Sequence, residues 1–302
     1  MIISRLQYGL GNQLFQYALG KRLAQDTNRE LKLDLTWYHN HDRNEKSKLT
    51  KRKFLLDQYS LEYEIITGLQ LRRHLPFFGL LKGKGLRFYR HQFRDHFVKQ
   101  GNLEVWTYGG DYHAILREAK RILTPSIYVV GFLLDHKVIN PIRKDLISEL
   151  VPGKVTEKHK ALLNTIKSRN SVFVHIRRGD FVNKRKDDLY VCDLEYYQKA
   201  IELIRNKLDQ PYFVYFTDEP DFVKKWFDVD NGFLSTEYQN EPYFDLDLMK
   251  NCSHAILSNS TFSWWGAYLI DNKDVQVICP AVWNKKDPHI SEQLIPDNWT
   301  RI

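Results

Sequence analysis

Short apolar runs recur along this chain, separated by stretches in which apolar residues return every three or four positions. The runs are Ile2–Arg5, Leu31–Leu35, Ile127–Val130, Val172–Arg177, Tyr212–Thr217, Ala255–Ser258 and Val275–Cys279. Each is too short for a stable helix, and together they are rich in β-branched and aromatic residues, so they predict buried strands. Helical spacing is evident at Leu14–Ala24, Tyr196–Leu208 and Phe222–Phe227. Strand and helix in alternation predict an α/β fold with βαβ units and a mainly parallel sheet. Val151-Pro152-Gly153-Lys154 interrupts the helical pattern before a fresh start at Thr156. That break predicts two domains, 1–152 and 153–302, the second with regular strand spacing of nucleotide-binding type.

Composition narrows this picture. The 302 residues are 43% hydrophobic, enough for real cores in two medium domains. No apolar run approaches the roughly 20 residues that span a bilayer. The opening Met1-Ile2-Ile3-Ser4-Arg5-Leu6 has no basic leader or small-residue cleavage site and reads as a first strand. Three scattered cysteines, Cys192, Cys252 and Cys279, form no CxxC pair, which points to a reducing compartment and away from a cysteine zinc site. The net charge of +8 favours anionic partners. No recognised nucleic-acid motif accompanies it, so no nucleic-acid partner is expected. Between residues 72 and 94, basic residues such as Arg72, Lys84 and Arg94 mix with Leu, Phe and Tyr and no acid. That segment suits either an anionic membrane surface or a basic helical hairpin packed on the core.

Three motifs carry candidate chemistry. The first, YGLGNQLFQYALGKRLA, follows the first strand. Gly9 and Gly11 predict a tight turn, with Gln13 in the same loop, before a helix start that favours an anion or sugar oxygen. A plainer reading is a glycine turn with Asn12 as the helix cap. A dinucleotide fingerprint needs a third glycine where Leu14 stands, yet Asp34 mimics its ribose-binding acid. An NAD(P)-dependent dehydrogenase is therefore the rival on this motif alone.

The second motif, HIRRGD, ends an apolar strand with His175, Arg177, Arg178 and Asp180. Ligands in open α/β sheets bind beyond the carboxyl ends of strands. Alternation sends His175 and Arg177 one way and Arg178 the other, so one arginine is expected on the ligand and its neighbour in the scaffold. The guanidinium fork suits a phosphate. Asp180 is expected to hold an arginine or meet the ligand. An internal Arg–Asp ion pair is the structural alternative, and the RGD adhesion tripeptide is set aside because an α/β strand end hides it.

In the third, FDLDLMKNCSHAILSNSTFSWWGAYLI, an acidic helix leads into a short strand. Ser258, Asn259, Ser260, Thr261, Phe262 and Ser263 then precede a helix. Hydroxyls and N–H groups at a helix start predict an uncharged phosphate cradle; plain capping needs only one of them. Asp245 and Asp247 spell a D-x-D, but on a helix the two carboxylates point about 200° apart, a poor chelate. Thr217-Asp218-Glu219-Pro220 reads mostly as a helix start. His39, His41 and Asp42 make only a weak metal candidate.

Together GLGNQLFQYA, HIRRGD, DLDLM and SNSTFSWWGAYL, in this order and spacing, resemble the α-1,2-fucosyltransferases of glycosyltransferase family 11. The C-terminal LIPDNWTRI is similar to the family's bacterial ending, and 36–125 is the least similar part. The resemblance implies a GT-B-like architecture of two Rossmann-like domains facing a cleft. Residues 1–152 would form the acceptor-side domain and 153–302 the donor-binding domain, the last helix packing back on the first. It implies inverting transfer from GDP-β-L-fucose, a co-substrate, to O2 of a terminal galactose, without an essential metal. One of Arg177 and Arg178, with Arg177 favoured, would hold the β-phosphate, and His175 and Asp245 would lie near guanine. Ser260, Thr261 and Phe262 would line the pyrophosphate and fucose, and Asn12 would face fucose and acceptor. Where bacterial members often have Gly-aromatic-aromatic-Gln, this chain has Gly131-Phe132-Leu133-Leu134, which leaves the acceptor glycan open. A cytoplasmic enzyme acting on a surface-polysaccharide precursor, lipid-linked and at the inner face of the membrane, is the expectation.

Overall fold

The computed structural model describes residues 1–42, 52–74, 102–105, 111–179, 182, 192–229, 232–237, 241–285 and 287–302, with the side chains of 40–42, 72–74 and 102–105 excepted. Two compact units result. One contains Met1–Leu56 and Leu61–Ile142, the other Asp57–Ser60 and Arg143–Ile302.

The first unit is built on β1 (Ile2–Arg5), α1 (Leu10–Thr27), β2 (Leu31–Asp34), α2 (Thr36–Asp42), β3 (Glu64–Ile65), α3 (Gly68–His74), β4 (Asn102–Val105), α4 (Tyr112–Arg121), β5 (Ile127–Gly131) and α5 (His136–Ile139). Its five strands run parallel in the order β3-β2-β1-β5-β4. β1 is central, with Ile2 beside Leu31 on one flank and Ile127 on the other. Ile2, Leu19, Leu23, Ile127 and Val129 share one buried cluster. Helix α1 lies close on the sheet at Gly20, where a β-carbon would stand 2.9 Å from Leu31 and 3.0 Å from Ser4. A side chain there would have to displace the Leu31 side chain and crowd Ser4.

The second unit continues with α6 (Arg143–Glu149), α7 (Glu157–Lys167), β6 (Ser171–Ile176), α8 (Leu194–Lys207), β7 (Tyr212–Thr217), α9 (Pro220–Trp226), β8 (Gly232–Leu234), α10 (Pro242–Lys250), β9 (His254–Ile256), α11 (Thr261–Tyr268), β10 (Val277–Cys279), α12 (His289–Leu294) and β11 (Thr300–Arg301). Six parallel strands follow the order β11-β10-β9-β6-β7-β8. All six residues of β6 are buried, as the unbroken apolar run requires of a strand covered on both faces. Asp193 caps α8 by accepting from the Tyr196 N–H, and the helix then buries Tyr197, Ala200, Ile201 and Ile204. Trp264 and Trp265 of α11 are fully buried, each contributing several kcal/mol on the scale of about 25 cal/mol per Å². The Trp264 indole N–H donates to Leu294 O at 2.8 Å, which anchors the last helix, α12, within this unit. The small segment from the first half is held by the Gly153 N–H donating to Gln58 O at 3.0 Å and by the Tyr59 hydroxyl reaching Tyr243 O at 3.4 Å. Among the described residues no helix is long and apolar enough to cross a membrane.

Candidate active site

Strand β6 lies between β7 and β9, and its carboxyl end opens into the turn 177–179. His175 precedes that end and is buried; its Nδ1 lies 2.8 Å from Ser258 Oγ. Two tyrosines at the start of α8 pin the neighbouring strand ends. Tyr197 donates to His175 O at 3.2 Å and Tyr196 to Leu257 O at 2.6 Å. Burial, reinforced by the nearby Arg177 charge, pushes the His175 pKa down to about 3. The imidazole is therefore neutral at any physiological pH. The Phe262 ring sits edge-on to it at 5.8 Å.

Both arginines of the turn are held, not one. Arg177 Nη1 lies 2.9 Å from Asp218 Oδ2, and Arg178 Nε donates to Glu219 Oε2 at 3.0 Å. The Arg178 backbone N–H donates to Asp218 Oδ1 at 3.0 Å, and its guanidinium stacks 4.1 Å from the Phe222 ring centre. Asp218 thus fixes the turn's backbone and its first arginine at once. Gly179 makes room for this, since a β-carbon there would stand 2.8 Å from Asp218 Oδ2. Arg177 keeps a quarter of its side chain exposed. The 217–220 stretch, read in the sequence mostly as a helix start, does begin α9 but also supplies both carboxylates. Register is the signal for them. Ile176 pairs with Thr217, so the residues after each strand end lie side by side. Asp180 falls outside the described residues.

The hydroxyl-rich stretch is more internally engaged than the cradle reading allows. Ser260 caps α11, accepting from the Phe262 N–H at 3.3 Å. Ser263 Oγ donates to Ser258 O and Ser260 O, and Ser258 is taken by His175. Asn259 donates to Trp283 O at 3.2 Å, while its Oδ1 is buried without a partner. The first turn of α11 is partly exposed, at Ser260, Thr261 and Phe262.

On α10 the two aspartates serve separate ends. Asp247 is buried, its Oδ2 2.7 Å from His159 Nε2 and its Oδ1 3.3 Å from the Asn251 amide. The Asp245 Oδ1 is buried and has no hydrogen-bond partner. Desolvation pushes the Asp245 pKa up to about 7, against the opposing hydrogen bond from Ser235. The pair does not converge on one point. Among the described residues no group of three or more His, Cys, Asp and Glu is placed to hold a metal ion.

In the first unit the glycine turn differs from expectation. The left-handed residue is Tyr8, at φ 70°, while Gly9 is extended and is itself the N-cap of α1. Asn12 is therefore inside the helix, where its N–H donates to Gly9 O at 3.0 Å. Gln13 is fully buried; it donates to Tyr8 O and Lys53 O and accepts from the Leu55 N–H. Its amide braces the loop from within. Asp34 overturns the dehydrogenase alternative. It is fully buried, with Oδ1 accepting from the Thr36 N–H and Oδ2 from the Tyr128 hydroxyl at 2.6 Å. No oxygen remains exposed for a ribose. Residues 75–94 of the basic segment, and the side chains of Arg72, Arg73, His74, His41 and Asp42, lie outside the description.

Two α/β units, each built on a parallel sheet, are the make-up of the GT-B fold. The same fold occurs in the crystal structure of the fucosyltransferase NodZ from Bradyrhizobium, at a TM-score of 0.50 and 15% identity, covering 88% of this chain and 91% of that one. A structure of NodZ α-1,6-fucosyltransferase soaked with GDP-fucose matches equally, covering 89% and 92%. The chain belongs to glycosyl transferase family 11, whose model matches residues 1–302. It is 26% identical to an α-1,2-colitosyltransferase of Escherichia coli, over all of this chain and 99% of that protein. It is 25% identical to the Escherichia coli O-antigen biosynthesis glycosyltransferase WbnK, over 99% of both. The galactoside 2-α-L-fucosyltransferase Sec1 of Mus musculus shares 28% identity over 48% of this chain and 43% of its own.

Proposed function

We propose that this glycosyltransferase moves L-fucose from GDP-β-L-fucose to O2 of a terminal galactose, with inversion and without an essential metal. The observation that carries the reading is the arginine turn at the end of β6, held by Asp218 and Glu219, with the adjacent strand β9 leading into α11. The galactose O2 attacks the anomeric carbon from the face opposite the diphosphate. The C1–O bond breaks and its electron pair leaves with GDP. Charge grows on the β-phosphate, where Arg177 and the N–H groups opening α11 stabilise it. A pre-oriented guanidinium supplies several kcal/mol in a site of this type. The proton of the attacking hydroxyl needs a base, for which Asp180 is the candidate.

Asp245 fits the guanine end. Its unpartnered buried Oδ1 suits the adjacent N–H donors of that base. Neutral His175 orders the strand end below it, with Ser258 and Phe262. The test is product analysis with GDP-fucose and galactose-terminated acceptors in EDTA. A 2-O-fucosyl product of inverted configuration is expected. Absence of both transfer and GDP-fucose binding over a broad acceptor panel refutes the reading.

The full-length similarity to a colitosyltransferase favours one second reading, a colitosyl donor. Competition between GDP-fucose and GDP-colitose decides it by the ratio of kcat/KM values. The acceptor in this proposal is the galactose end of a lipid-linked surface-polysaccharide precursor, met in the cytoplasm at the inner membrane face through the basic segment 72–94. Sedimentation with anionic vesicles, lost in high salt, is the expected result; no binding to such vesicles counts against it.

A further inference from the structure

Tyr8 combines two features that seldom meet. Its backbone is left-handed, at φ 70°, a region bulky residues rarely adopt. The residue is nonetheless 38% exposed, so the side chain does not occupy this place to fill the core. The conformation is imposed from beneath. Tyr8 O accepts from Gln13 Nε2 and from the Tyr38 hydroxyl, both at 3.1 Å, and both donors are buried. The ring is backed as well. Tyr8 meets Trp37 at 5.3 Å between ring centres, Trp37 meets Tyr38 at 5.0 Å, and Tyr38 meets Phe54 at 6.2 Å. An aromatic ladder thus runs from the core to one presented ring, in the turn that follows the carboxyl end of β1.

Backbone strain persists where the surroundings over-determine it, and it gathers at ligand clamps. A glycine at residue 8 would adopt this φ without strain. An exposed, rigid ring on an aromatic base matches a ligand with one apolar face and a polar rim. A pyranose has that form, its ring C–H bonds on one face and its hydroxyls at the edge. A single presented ring is too small for a protein interface.

We infer that Tyr8, backed by Trp37, is the stacking platform for a pyranose of the acceptor glycan. This rests on the proposed sugar transfer but is tested apart from it. Three variants separate ring from backbone: Tyr8→Gly, Tyr8→Phe and Trp37→Phe. In Tyr8→Gly the strain is relieved and the ring lost, so the melting temperature is expected to hold or rise. Its acceptor KM is expected to rise about tenfold, equivalent to about 1.4 kcal/mol, with donor KM unchanged. Tyr8→Phe keeps the ring and is expected to stay within about threefold of the parent, while Trp37→Phe falls between. Saturation-transfer NMR with lactose and no donor gives the second readout. The signal from the galactose ring protons is expected in the parent and Tyr8→Phe, and its loss in Tyr8→Gly. An unchanged acceptor KM or an undiminished lactose signal in Tyr8→Gly overturns the inference. Weakened GDP binding in that variant also overturns it, because the ring would then serve the nucleotide. If the parent binds no GDP-fucose but lactose saturation still depends on Tyr8, the donor assignment falls and the platform stands.

Discussion

Asp218→Asn is the sharpest probe of the arginine turn. The carboxylate accepts two bonds at once, from Arg177 Nη1 at 2.9 Å and from the Arg178 backbone N–H at 3.0 Å. An amide of the same shape has one oxygen, so in either flip its NH2 faces one of these donors. Leaving one donor unpaired costs about 1–3 kcal/mol in a buried setting. Asp218 and Arg177 are about a quarter exposed, so solvent screening lowers this to roughly 1–2 kcal/mol. That is about a tenfold or larger shift away from the oriented arginine. The loss falls on the transition state, where β-phosphate charge is greatest, so kcat should drop about 5- to 30-fold with a smaller change in GDP-fucose KM. Asp218→Glu restores the charge but moves the carboxylate by one methylene from the two donors, and partial activity is expected. The assay is steady-state kinetics at saturating acceptor, with a thermal melt to establish folding. A folded Asp218→Asn enzyme within twofold of parental kcat refutes the positioning role.

Arg177→Lys should lose most activity while remaining folded, since an ammonium cannot reproduce the fork that meets both carboxylate and phosphate; near-parental turnover shows that Arg177 is not the clamp. Affinity for GDP should rise with pH up to about 7 and level off above, because guanine donors need the ionised Asp245 whose pKa lies near 7; proton release on binding near that pH, read by calorimetry in two buffers, checks it. Because that folded pKa is raised above the unfolded one, Asp245 loses stabilising effect as pH rises through about 7. Asp245→Asn should therefore raise the melting temperature by a few degrees at pH 8, change little at pH 4, and weaken GDP. His175 has a depressed folded pKa of about 3, so its unfolded form binds more protons between there and about 6.5, and stability should fall as pH drops through that window. His175→Gln should flatten the acid limb of the melting profile.

The central strands were the legible part of this chain. Runs such as Tyr212–Thr217 are apolar throughout because the strand is covered on both faces, and the structure keeps those bounds. Strands β3 and β11, of two residues each, were not read, for a segment that short shows neither alternation nor a run. At the site, residue type pointed to the arginines but not to their partners. Asp218 and Glu219 lie about 40 positions away and become neighbours through the β6–β7 register. Gln13 looked like a ligand contact from its place in a glycine turn; only the path of 53–55 shows its amide facing inward. Asp34 likewise took its meaning from Tyr128, a residue on another strand.

The segment Asp57–Ser60 has a consequence for the order of assembly. Its partners Gly153 and Tyr243 lie far downstream in the chain. During synthesis, 57–60 must wait until those residues emerge before it can dock. No single proteolytic cut or cloning boundary isolates the second unit whole. A fragment starting at Arg143 begins without Gln58 and Tyr59, and leaves the Gly153 N–H to water.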